Sequence, residues 1–264
     1  MRLTDPTLQT ILEPEGAYTL PESFDLARHT VDALTERLAA ARRSATDGRT
    51  VRIKSVRSEA LVELAASGNP PDSNEDIIAP LVSAATELQI AEQASSVLAG
   101  ARALAEARLR SLVLKTADEF VVKHLRPAHA ETLKEARTLA PKLAAIQVDD
   151  LESVLNSPLA IQSAYQEAKT LAARYERIRD TRQALARLTR QNASEFLEFR
   201  EQHGRLPTNP VARLLAVAAS GIAWMPTGDE VRVAQREAHK RSAAEVKAMR
   251  ARGVPVESLT AFGG

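Results

Sequence analysis

The sequence predicts an all-α protein: an elongated antiparallel hairpin of long, coiled-coil-like helices, with shorter helices packed at its ends. Three observations carry that expectation. Aromatic residues are only 3% of the chain against 44% apolar residues, so the core must be built from Ala, Leu, Val and Ile, as in packed helices rather than a β-sandwich. Between Leu81 and Arg126 there is no proline and a single glycine, Gly100. Further on, Ala164, Ala168, Leu171, Tyr175, Ile178, Arg182, Leu185, Thr189, Asn192, Phe196 and Phe199 fall at alternating steps of four and three. A repeat averaging about 3.5 residues keeps one apolar seam facing a partner helix.

The elements follow in order. Residues 1–18 read as irregular, because Pro6, Pro14 and Gly16 interrupt any period. Thr19, Pro21 and Glu22 then form a start signal, with Thr19 as N-cap. The helix they open carries Phe24, Ala27, Val31, Leu34, Leu38, Ala41 and Ala45 on one stripe and ends near Gly48. Val51 and Ile53 alternate with charge, which favours a loop or short strand before a helix over 55–67. "GNPPDSN" at 68–74 is a linker, with Ser73 and Asn74 available as caps.

From there a helix is expected to run to Arg126, about 70 Å long at about 1.5 Å per residue. Its stripe includes Leu81, Ala85, Leu88, Ala91, Leu98 and Leu109. Pro127 stops or kinks it, and a shorter helix follows. Asp149 caps a brief helix, and Ser157 with Pro158 starts the seam helix, which is expected to reach His203 before Gly204. Arg182, Thr189 and Asn192 are the polar members of the seam. They are read as the side that widens into solvent, the other reading being a register-fixing role. The domain division expected is an N-terminal helical segment (1–68), the long hairpin (69–204) and a C-terminal part (205–264).

That C-terminal part opens with "VARLLAVAASGIAWMP" at 211–226, the least polar run of the chain and the site of its one tryptophan. Asn209 and Pro210 cap and start it. The apolar stretch from Val211 to Met225 falls short of the about 20 residues that span a bilayer. A helix apolar on nearly all sides is a buried one. Leu214, Leu215, Ile222, Trp224 and Met225, with Leu259 and Phe262 of the terminal arm, are therefore the candidate interface residues.

Chemistry is sparse. There is no GxxxxGK[ST], GxGxxG or GxSxG. No cysteine is present, which excludes disulfides, thiolate chemistry and Cys-based zinc sites. None of the five histidines makes an HExxH, and His124 and His129, either side of Pro127, read as surface residues near a helix end rather than metal ligands. The pairs Asp118/Glu119, Asp149/Asp150 and Asp229/Glu230 are neighbours in sequence, which point to different sides of a helix and make poor acid–base pairs. No catalytic residue, cofactor or metal is expected.

The net charge of +1 gives no global attraction to nucleic acid or lipid. Locally, Arg42, Arg43, Arg49, Arg52, Lys54 and Arg57 face one acid, Asp47, and form the candidate phosphate-binding cluster, with a second basic run over 232–252. The function expected is therefore non-enzymatic: a helical assembly or scaffolding-type protein that self-associates or binds another protein. Nucleic-acid binding through the two basic clusters is the alternative. Lysine fills only eight of 35 basic positions and alanine is abundant, a composition of GC-rich bacterial or phage genomes. The N-terminus shows no targeting segment, so the cytoplasm, or a virion if phage-encoded, is the expected location.

Overall fold

The computed structural model describes residues 3–47, 75–191, 206–221 and 223–251, and the regular structure of these residues is helical. The fold is all-α. The chain divides into two compact units, one covering Glu22–Leu112 and the other Arg2–Pro21 with Val113–Gly264.

In the first unit, α2 (Glu22–Asp47) buries Phe24, Val31 and Leu38, the seven-residue spine of its expected stripe. Thr19 does not cap this helix, which begins three residues later; its hydroxyl lies 3.2 Å from His124 Nδ1. Then α3 (Glu75–Phe120) runs unbroken for 46 residues, and Gly100 does not interrupt it. The expected strand or helix over 51–67, and its linker, lie outside the described residues.

The chain passes from α3 into α4 (Arg126–Leu143) without a break, through one widened turn, Val121–Leu125. The Arg126 N–H reaches back five residues to the Val121 carbonyl. Pro127 falls in the first turn of α4, where its missing N–H costs no hydrogen bond. The proline is thus absorbed by a π-turn just before it.

The second unit is built on α4, α6 (Leu159–Leu188) and α7 (Pro210–Ser220). Leu133, Ala136 and Leu139 of α4 meet Ala168, Leu171 and Tyr175 of α6 and Leu214 and Val217 of α7 in one core cluster. Alanine at these contacts lets helix axes approach closely. The seam from Ala164 to Leu185 is the buried face of α6, so it is closed within the chain.

Several boundaries differ from expectation for local reasons. Residues 6–12 form α1, with Asp5 accepting from the Thr7 N–H and Leu8, Ile11 and Leu12 buried. Pro6 starts this helix rather than preventing it. The short helix α5 (Leu151–Leu155) is capped by Asp150, not Asp149, through the Glu152 N–H at 3.0 Å. Ser157 is not a cap; its hydroxyl donates to the Val154 carbonyl at 2.5 Å. α6 stops at Leu188 rather than His203, and Asn192, Phe196 and Phe199 lie outside the described residues. The stop is a Schellman motif: the Gln191 N–H donates to Ala186 O at 2.8 Å, the Arg190 N–H to Arg187 O at 3.1 Å, and Arg190 takes φ +55°. A side chain in that left-handed conformation hid the terminus from a search for glycine.

α7 follows its start signal: Asn209 Oδ1 accepts from the N–H groups of Val211 and Ala212 at 2.8 and 3.2 Å. It ends at Ser220, with Gly221 at φ +68°, so Trp224 and Met225 lie in an extended link before α8 (Gly228–Ala251).

Candidate functional site

Among the described residues, Arg182 is the largest fully buried side chain, at 2% exposure. Its Nε donates to the Pro226 carbonyl at 2.7 Å and its Nη2 to Gln191 Oε1 at 3.0 Å. The seam position read as facing solvent is therefore a buried cation that ties the end of α6 to the link before α8. Burial pulls its guanidinium down to about 10, opposed by the charges of Asp118 and Glu230, so it stays protonated at neutral pH.

The two carboxylates are each fixed by backbone. Asp118 Oδ1 accepts from the Gly228 N–H at 2.7 Å. Glu230 completes a capping box with Thr227: its Oε2 accepts from the Thr227 N–H at 2.7 Å, and the Glu230 N–H donates to Thr227 Oγ1 at 3.3 Å. The same carboxylate receives Arg126 Nη2 at 2.6 Å, while Arg126 Nε donates to the Met225 carbonyl at 3.1 Å. Partial burial pushes the Glu230 carboxyl up, but these donors outweigh it and hold the group below its ordinary value. A Cβ on Gly228 would strike the Gln191 amide that holds Arg182, which accounts for glycine there.

Among the cavities lined by described residues, two flank α4. The smaller, about 360 Å³, is lined by Arg126, His129, Leu133, Arg137, Trp224 and Glu230 among others. His129 is 6% exposed, and its ring lies 5.8 Å from that of Tyr175. Burial pulls its imidazole down to about 4, so it is neutral at pH 7. The larger, about 750 Å³, is lined by Tyr18, Lys123, His124, Glu131, Lys134 and Arg174 among others. Arg174 pairs with Glu131 at 2.7 Å, and Tyr18 donates to the Ile11 carbonyl at 2.8 Å beside Thr181 Oγ1 at 3.0 Å. Among the described residues, no group of three or more His, Asp or Glu is placed to hold a metal, and no helix is long and apolar enough to cross a membrane.

The first unit carries a different feature. Ile90, Val97 and Leu104 of α3 are 60%, 71% and 55% exposed. They recur every seven residues, and Ala94 and Ala101 fall between them. Glu87 and Arg108 continue the same steps at the two ends. This is a second seam, on an arc of α3 other than the one through half-buried Leu88, Ala91 and Leu98 and fully buried Leu109.

The residues expected to meet a partner are distributed differently. Leu214 and Met225 are buried in the chain's own core, and Leu215 packs partly against it, so the apolar helix is interior to the second unit. Trp224 is half-buried against Ala186, Val231 and Ala234 and faces the smaller cavity. Ile222, Leu259 and Phe262 lie outside the described residues. Of the candidate phosphate cluster, Arg42 and Arg43 are exposed near the end of α2, and Arg49, Arg52, Lys54 and Arg57 lie outside the described residues. The Arg182 node was missed, although two sequence signals point to it: a charged residue inside an apolar repeat, and the Thr227-x-x-Glu230 box. The α3 seam was missed because the alanines of this helix allow more than one stripe. No protein-family model, no curated protein and no solved structure matches this chain.

Proposed function

We propose that this chain is a non-enzymatic helical assembly protein, which self-associates by pairing α3 with α3 of a second copy. The observation that carries the reading is the exposed Ile90–Val97–Leu104 seam. The occupant that fits it best is the same seam reversed. A parallel, in-register pair would set Glu87 against Glu87 and Arg108 against Arg108. An antiparallel pair brings each acidic end against a basic end, and the alanines between permit close packing. In this reading the coiled-coil pairing expected within a hairpin of one chain forms between two chains instead. The composition fits a structural component from a bacterium or phage.

The strength follows from area. Full burial of Val, Leu or Ile gives about 1.5–3 kcal/mol. At the observed exposures each side chain contributes about 1–2 kcal/mol, or about 6–12 kcal/mol for six in a symmetric pair. Association costs about 4–15 kcal/mol, so the surplus runs from none to about 8 kcal/mol, and this seam alone supports a dimer no tighter than about micromolar Kd. Light scattering or sedimentation of the full chain over a wide concentration range tests this. Mass should rise with concentration, and Val97→Glu with Leu104→Glu should hold the chain monomeric with unchanged helix content. A wild-type chain that stays monomeric at every concentration, or a double variant that still associates, overturns it.

A further inference from the structure

The smaller cavity has the attributes of a ligand site that self-association does not use. Its volume, about 360 Å³, is at the small end of ligand pockets. His129 lines it at 6% exposure, and among the described residues no hydrogen bond engages its ring nitrogens. Beside it, Arg137 spends only Nε on structure, donating to the Ala218 carbonyl at 2.8 Å. Its terminal guanidinium nitrogens have no described partner. The third wall is apolar, with Leu133 and Trp224.

We propose that this cavity binds a small aromatic or branched monocarboxylate, with Arg137 and His129 on the carboxylate and Leu133 and Trp224 on the apolar body. The charge count favours a monoanion. Arg126 is already neutralised by Glu230 at 2.6 Å, which leaves one cation, Arg137, for the ligand. Arginine's planar fork matches a carboxylate in two parallel hydrogen bonds. The neutral imidazole adds one donor without adding charge. A dianion such as phosphate would keep a net negative charge beside Glu230 and would leave the apolar wall uncovered.

The chain reports on this site by itself, because Trp224 is its only tryptophan. Benzoate is the probe, titrated into the full-length protein and followed by tryptophan emission, with benzyl alcohol and inorganic phosphate as comparators. A saturable change with benzoate, absent with both comparators, is expected. Arg137→Met, at an exposed position, should weaken benzoate about 10- to 100-fold, the loss of one charge-assisted contact. His129→Phe should weaken it less. No saturable response to benzoate overturns the proposal. So does an equal response to benzyl alcohol, equal binding of phosphate, or an Arg137→Met variant of unchanged affinity and helix content.

Discussion

Arg182 should be the most damaging single position in the second unit, and two replacements separate the reasons. Arg182→Met keeps most of the volume and removes every donor. The Pro226 carbonyl and Gln191 Oε1, now bonded at 2.7 and 3.0 Å, lose their partner. Each buried acceptor left unsatisfied costs about 1–3 kcal/mol, so about 2–4 kcal/mol is expected after partial relaxation. Asp118 and Glu230 also lose a nearby cation, which adds in the same direction. Arg182→Ala opens a cavity as well, and large-to-small core changes cost about 2–5 kcal/mol. The alanine variant should therefore lose about 2 kcal/mol or more beyond methionine. Against a typical total of about 5–15 kcal/mol, it stands near unfolding. Urea denaturation followed by Trp224 emission measures both, and the reporter lies two residues from the tethered carbonyl. A methionine variant with the wild-type midpoint would refute the reasoning, because it would show that the buried hydrogen bonds contribute nothing net.

Two further predictions are simpler. His129 is held near 4 in the fold by burial and is ordinarily near 6.5, so the unfolded chain takes up its proton first and stability falls as pH drops from about 6.5 to 4, by about 3 kcal/mol in all. The charged groups facing the same cavity are Arg126 and Arg137 on its own helix and Glu230 on α8. His129→Phe should remove that part of the pH dependence in denaturation at pH 7 and 4.5, and an unchanged dependence contradicts it. Arg190 closes α6 at φ +55°, where glycine is unstrained, so Arg190→Gly should raise stability by about 0.5–1 kcal/mol in thermal or urea unfolding, and a loss of stability would show that the Arg190 side chain is needed there.

What was legible in the sequence was mostly periodic. The all-α class, the 46-residue helix, the stripe on α2 and the buried face of α6 all come from apolar spacing, which depends only on helix geometry. Caps were legible where one side chain decides, as at Asn209, and misread where two candidates adjoin, as at Asp149 and Asp150. What spacing cannot give is the partner of each stripe. The seam of α6 is covered by α4 and α7, which lie on either side of it in sequence, and its N-terminal neighbour α1 comes from a segment that proline made look irregular. The Arg182 node was legible only in its separate parts, for the same reason. It joins positions 118, 182, 191 and 226–230, and only the folded chain brings them together.

The two apolar features exchange roles for one physical reason. Sixteen residues of nearly unbroken hydrophobicity at 211–226 look like the exposed problem a partner must solve. In fact α4 and α6 solve it: Ala136, Ala168 and Ala172 share one core cluster with Leu214 and Val217, which are fully buried. The α3 seam is far less hydrophobic by composition, with alanine and glycine between its larger residues. Yet Ile90, Val97 and Leu104 stay more than half exposed, because one flank of a long helix cannot be covered by the stripe on its other side. Mean hydropathy ranks the first segment above the second, whereas exposure ranks them the other way. Since only surface still in contact with water can gain by association, the search for a partner belongs at Ile90, Val97 and Leu104.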